Sequence, residues 1–392
     1  MPLQAQTARE LFDSYDKYKI QEIRSRRFTQ ADMLRWLKPL ENKGVFQKTE
    51  IGKSAEGRMI SMFTVGSGST KVLLWSQMHG DEPTATMALL DMLNFFALSS
   101  SHPFVMSIRE ELMLLIIPMV NPDGAEIFQR RTAQCVDMNR DALRLETPEA
   151  RMLKEVQQTH KPDFGFNLHD QDPLNTVGAS KKVTAVALLA PATDESRADN
   201  AVRSRAKKVS ATVANVLTQF INGHLAKYDD TFEPRAFGDN IQRWGTSTIL
   251  IESGGWPQDR DKMFLRKMNY VALLSSLGTI ADKSYETADL SLYEQLPFNT
   301  KNLYDIIIRN GRLKVSESVP VLNVDVGLNL EEVRDSSTGK ILLTAKIVDV
   351  GDLSTYAALE EINAAGSSLD ERFIHLEMSI SYEDIRTLIR RK

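Results

Sequence analysis

Five stretches of this chain are short and apolar almost throughout, and they restrict its fold more than anything else in the sequence: residues 72–77, 112–117, 164–168, 183–189 and 246–251. A strand with one face in water alternates apolar and polar residues, whereas an apolar run of this length fits a strand covered on both faces. Between the runs lie helical patterns, at 84–98, 149–159, 195–220 and 262–281. Strands that alternate with helices imply an α/β fold, here a mixed, largely parallel twisted sheet flanked by helices.

The flanks read differently. Residues 7–19 and 29–43 have helical spacing, with Thr7 and Thr29 as expected N-caps. After residue 283 the helical texture ends. Residues 284–299 read as a linker, and Asn310-Gly311 as the tight turn of a hairpin within 302–315. Strands at 341–350 and 372–380 and a helix at 355–363 complete a β-rich C-terminal region. The expected organisation is an N-terminal helical segment (1–45), a catalytic domain (46–283), a linker (284–299) and a smaller β-rich domain (300–392), which suits a chain of 392 residues.

Charge and composition narrow the function. The formal net charge is −4, so no nucleic-acid or anionic-membrane partner is expected. The longest apolar run, 112–120, is too short to span a bilayer and contains Pro118. The single cysteine, Cys135, permits no intrachain disulfide, and the opening residues show no apolar leader segment, so the expected location is cytoplasmic.

Chemistry concentrates where apolar runs end. In MHGDEP (78–83), His79 and Glu82 stand three apart after the first run, with Pro83 placed to be the first residue of the following helix. Imidazole and carboxylate are both zinc ligands, and a pair this close makes half a tetrahedral site, although H-x-x-E alone also describes an ordinary polar loop. His169, in FNLHDQ, follows the third run; of the six histidines, only His79 and His169 sit at strand ends in the α/β region. Ligands in open α/β sheets gather beyond the carboxyl ends of strands, so the two histidines with Glu82 make a His₂Glu set, the competing reading of His169 being a core histidine. Glu252, in ILIESGG, ends the last run, where a carboxylate is unfavourable without a partner or a task. Beside a metal-activated water it would serve as general base. The polar stretch after the second run holds Arg130, Arg131, Asn139 and Arg140, either a solvated charged loop or a clamp for a substrate carboxylate.

In order, H-x-x-E (79–82), N-P-D-G (121–124), the arginine pair, D-x-N-R (137–140), L-H (168–169) and E-x-G-G (252–255) resemble the zinc carboxypeptidase family typified by carboxypeptidase A, over about residues 52–280. The resemblance implies one zinc per chain, held by His79, Glu82 and His169. It implies that Asp137 buttresses the first histidine, that Arg131 (with Arg130 as fallback) steadies the oxyanion, that Asn139 and Arg140 hold the terminal carboxylate, and that Glu252 is the general base. Tyr228 is the candidate for the family's mobile tyrosine, though the residues around it depart from the family pattern. Asp239 reads as a loop cap rather than a specificity residue. The activity expected is hydrolysis of an amide bond beside a free carboxylate, on a peptide or an N-acyl amino acid. The alternatives are a deacylase of the succinylglutamate desuccinylase or aspartoacylase type and a catalytically silent binding module.

Overall fold

The computed structural model describes residues 3–335, 338, 340–370 and 375–390. The chain divides into two compact units: one runs to Pro173 and resumes over Thr184–Asn299; the other joins Leu174–Val183 to the chain from Thr300 onward. The segment 174–183, assigned from sequence to the catalytic domain, is thus part of the second unit.

The first unit opens with α1 (Leu3–Tyr18) and α2 (Gln30–Glu41). Helix α2 starts where expected, because Thr29 and Asp32 form a reciprocal capping box. Helix α1 begins before Thr7, so that threonine lies inside the helix and is not its cap. Then follow β1 (Phe46–Lys53), β2 (Met59–Val65), β3 (Thr70–Ser76), α3 (Thr84–Leu98), α4 (Pro103–Glu111), β4 (Leu112–Ile117) and α5 (Pro122–Ile127). After α6 (Pro148–His160) comes β5 (Phe164–Asp170). The strand β6 (Asn175–Val177) belongs to the second unit. The first unit resumes with β7 (Val186–Leu189), α7 (Ala201–Ile221), β8 (Leu225–Lys227), α8 (Phe237–Arg243), β9 (Ser247–Ser253), α9 (Met263–Ala281) and α10 (Ser291–Glu294).

Its eight strands form one mixed sheet in the order β1-β2-β4-β3-β5-β9-β7-β8, with the central four, β4 to β9, parallel. The apolar runs are explained by burial on both faces. Val72 and Leu74 of β3 enter one core with α1, α2, α3, α4, α7 and α9, while Leu73 and Trp75 enter a second with α6 and α8. In β5, Phe164, Phe166 and Leu168 face the first core, which directs Asn167 and His169 to the opposite face.

The N-terminal helices are locked in by a buried charge network. Asp91 on α3 receives the Tyr15 hydroxyl (2.8 Å), the Ile20 amide (2.8 Å) and two nitrogens of Arg266 on α9 (2.6 and 2.7 Å). Arg266 also donates to the carbonyls of Ile20 and Ile23. Residues 284–299 are not a bare linker. They carry α10, and Tyr293 is buried with its hydroxyl oxygen accepting from the Ala190 amide at 2.9 Å.

The second unit comprises β6, β10 (Asn299–Lys301), β11 (Leu303–Leu313), β12 (Leu322–Arg334), β13 (Ile341–Gly351), β14 (Ala357–Asn363), β15 (Ser368–Leu369), β16 (Ser379–Ser381) and β17 (Ile389–Arg390). Its main sheet runs β16-β13-β12-β11-β15-β17, with β14 also paired to β11. Two expectations fail here. Asn310-Gly311 forms no hairpin turn but a bulge within the continuous strand β11, where Gly311 leaves room for the Leu369 side chain. Residues 357–363 form β14, not a helix, because parallel pairing with β11 overrides the helix-forming alanines and glutamates. Of the strand expected at 372–380, residues 372–374 lie outside the described residues, and β16 covers only its end. Among the described residues, no helix is long and apolar enough to cross a membrane.

Candidate active site

The turn after β3 carries the first two site residues. Gln77 adopts a left-handed conformation (φ 55°), and its side-chain amide donates to the Gly80 carbonyl at 2.9 Å. Gly80 is needed for close approach: a Cβ there would lie 2.0 Å from the carbonyl carbon of Gly124. Gly124 sits in the N-P-D-G turn, whose Asn121 side chain accepts from the Gly124 amide at 2.9 Å. The two turns therefore pack backbone against backbone. Pro83 occupies the N-cap of α3 rather than its first helical position.

This packing brings His79 and Glu82 to His169 at the end of β5. The carboxylate oxygens of Glu82 face both imidazoles, Oε1 at 2.7 Å from His79 Nδ1 and Oε2 at 2.8 Å from His169 Nδ1. One ligand atom from each of the three residues lies within 4.8 Å of the others, and this is the one group of its kind found among the described residues. All three are buried. The Asp137 carboxylate accepts from His79 Nε2 at 3.0 Å, which leaves Nδ1 facing Glu82. Burial alone would lower the His79 pKa, but the Glu82 and Asp137 carboxylates outweigh it and push the imidazole up to about 9. The same negative field favours a cation at this point. Two imidazoles and one carboxylate are the donor set of a catalytic zinc site, so the residues fit the metal.

Glu252 lies directly beside His169 in the β5–β9 register. It is buried, its Oε2 has no hydrogen-bond partner, and burial followed by the nearby Glu82 charge holds its pKa well above the usual carboxylate range. Tyr228, just after β8, feels the Glu252 charge most strongly, and with burial this pushes its phenol up to about 12. The tyrosine singled out by position alone thus lies within electrostatic reach of the expected general base. Arg140 and Arg130 also act on that phenol.

The arginines need a correction. Arg131 points away, donating to the Cys135 carbonyl at 3.0 Å. Arg130 reaches the site instead: Nη1 lies 3.0 Å from Glu82 Oε1 and 3.1 Å from His79 Nδ1, while Nε and Nη2 donate to Asp137 Oδ2. Asn139 accepts from the Phe237 amide at 2.9 Å, fixing the D-x-N-R turn to the start of α8. Arg140 is more open, with Nε 3.7 Å from Glu233. Asp239 accepts from the Glu233 amide at 3.1 Å, as a loop cap would. Sequence reading passed over Asp170 and Lys262, which pair at 3.2 Å behind the site. Asp170 could have been noticed beside His169 in LHDQ; Lys262 stands at the start of a helical pattern after a polar stretch and gives no local signal.

Residues 33–150 match the family model described as zinc carboxypeptidase. Over that stretch the chain is similar to zinc carboxypeptidases. The match contains His79 and Glu82 and stops short of His169 and Glu252, which the fold brings to them. A probable carboxypeptidase 2 of Arthroderma benhamiae is 29% identical over 170 residues, 41% of this chain and 32% of that protein. Cytosolic carboxypeptidase 6 of Mus musculus is 27% identical over 124 residues, 29% of this chain and 23% of that protein. The chain thus spans about a third or less of the length of these relatives. A metallo-carboxypeptidase structure from Burkholderia cenocepacia shares the fold at a TM-score of 0.52, with 15% identity, over 66% of this chain and 70% of that one.

Proposed function

We propose that the chain is a zinc-dependent carboxypeptidase that hydrolyses the amide bond next to a free C-terminal carboxylate. The observation that carries this reading is the convergence of His79, Glu82 and His169 with Glu252 one strand away. When bound to these three residues, zinc supplies a Lewis acid that polarises a carbonyl and acidifies water.

The chain's own residues supply the rest. Glu252 takes the proton of the attacking water and delivers it to the leaving amine, a role suited to a buried carboxylate with a free oxygen. Arg130, anchored by Asp137, places a guanidinium where negative charge develops on the carbonyl oxygen. Arg140, steadied through Asn139, binds the substrate's terminal carboxylate. Tyr228 lies beside Glu252 and closes on the substrate from that side.

A second reading, deacylation of N-acyl amino acids, draws on the β-rich second unit. A hydrolysis panel of C-terminally free peptides, their amidated counterparts and N-acyl amino acids, with and without a chelator, separates the two. Chelator-sensitive cleavage of the free peptides alone is expected. Cleavage of N-acyl amino acids with no peptide turnover would transfer the assignment to the deacylase, and chelator-insensitive turnover would remove the metal from either reading.

A further inference from the structure

Beneath the site lies a buried lysine that the proposed reaction does not use. Lys262 is 5% exposed. It stands at the N-cap of α9 in a left-handed conformation (φ 55°, ψ 32°), which turns its side chain back under the strand ends. Its ammonium donates to the Ser253 carbonyl at 3.1 Å and pairs with Asp170 Oδ2 at 3.2 Å. Lysine is almost never buried this completely without such partners.

Both partners adjoin site residues. Ser253 follows Glu252 on β9, and Asp170 follows His169 on β5; the two are register neighbours. Asp170 reaches the third ligand too, since its backbone amide donates to Glu82 Oε2 at 3.2 Å. Its carboxylate also accepts from Thr84 at the start of α3, at 2.6 Å, two residues past Glu82. One ammonium group thus joins two strand ends directly, the one with His169 and the one with Glu252, and reaches Glu82 and the start of α3 through Asp170. It is also a buried cation beneath a site rich in carboxylates (Glu82, Asp170 and Glu252).

We propose that Lys262 is a positioning residue, whose bonds to Asp170 and the Ser253 carbonyl set the distance and angle between the metal ligands and the Glu252 carboxylate. The idea rests on the carboxypeptidase reading above. A purely structural ion pair at this depth could be replaced by apolar groups of similar shape without loss. A positioning pair cannot, because the geometry it imposes on the ligands would relax. Partners of this kind behind a metal ligand typically contribute 10- to 100-fold in metal affinity or activity.

The test uses the full chain and the double variant Lys262→Met with Asp170→Asn, which removes both charges and leaves neither buried alone. Three quantities are measured: the melting temperature of the zinc-free protein, the zinc dissociation constant by competition with a chromogenic chelator, and kcat and KM on a C-terminally free peptide. The expected result is a zinc-free melting temperature near that of the unaltered chain, zinc affinity weakened about 10- to 100-fold, and a fall in kcat larger than any change in KM. The single variant Lys262→Met leaves the Asp170 carboxylate without its counter-charge and should show the same kcat loss with a lower melting temperature. A double variant with unaltered zinc affinity and kcat would overturn the proposal, as would a change confined to the melting temperature. If the unaltered chain binds no zinc and cleaves no peptide, the carboxypeptidase reading fails first and takes this inference with it.

Discussion

The two units of this protein treat charge in opposite ways. In the first, charged side chains are drawn into the interior and matched there: Asp91 with Arg266, Asp170 with Lys262, Glu82 between two imidazoles. In the second, the core cluster around Ile306, Val326, Leu328 and Ile347 is apolar, and ion pairs such as Arg309 with Asp325 and Glu361 lie partly in solvent. Burying a charge is unfavourable unless every partner is in place. The first unit accepts that constraint where it needs fixed geometry, at the anchored N-terminal helices and at the site. The second needs only to bury one face of its strands, as the alternating burial of β14 shows.

The largest expected effect belongs to Glu252→Gln, which should lower kcat by about 10²- to 10⁴-fold while zinc remains bound. Zinc content by elemental analysis and turnover on one sample check both halves, and unchanged turnover would remove Glu252 from the chemistry. Next is Asp91→Asn. It leaves Arg266 buried against a neutral partner, and chemical denaturation should reveal a loss of about 3–5 kcal/mol. A loss below about 1 kcal/mol would mean that this charge network does little anchoring. Leu328→Ala, in the core of the second unit, should destabilise by about 2–5 kcal/mol and leave zinc affinity unchanged. A drop in zinc affinity there would show that the units are coupled. The smallest effect is expected at Arg131→Ala, with kcat within about twofold, whereas Arg130→Ala should lower it by about 10²- to 10³-fold. The reverse pattern would restore Arg131 as the oxyanion residue.

How much was legible follows from the same contrast. Predominantly apolar runs marked β3, β4, β5, β7 and β9 because burial on both faces leaves few polar positions to confuse the pattern. The clustering of His79, Glu82 and His169 was legible because they lie at or just beyond the ends of those strands. The choice between Arg130 and Arg131 was not, since two adjacent arginines differ only in the direction a loop gives them. Lys262 was hidden for a related reason: its task depends on a left-handed turn that no local pattern announces. In the second unit, Asn310-Gly311 and 357–363 misled because local preference favoured a turn and a helix, while strand pairing with distant residues decided otherwise.

Glu82 and His169 lie 87 residues apart in the chain, joined through α3, α4, β4, α5, α6 and β5. An unfolded chain therefore offers a cation only the neighbouring His79–Glu82 pair. The full chelate comes into being once the parallel strands have docked, a step slowed by the closure of so long a loop. Zinc should consequently capture a finished scaffold rather than nucleate one: apoprotein refolded in chelator and then given the ion should recover full occupancy, and supplying the ion earlier should not hasten refolding.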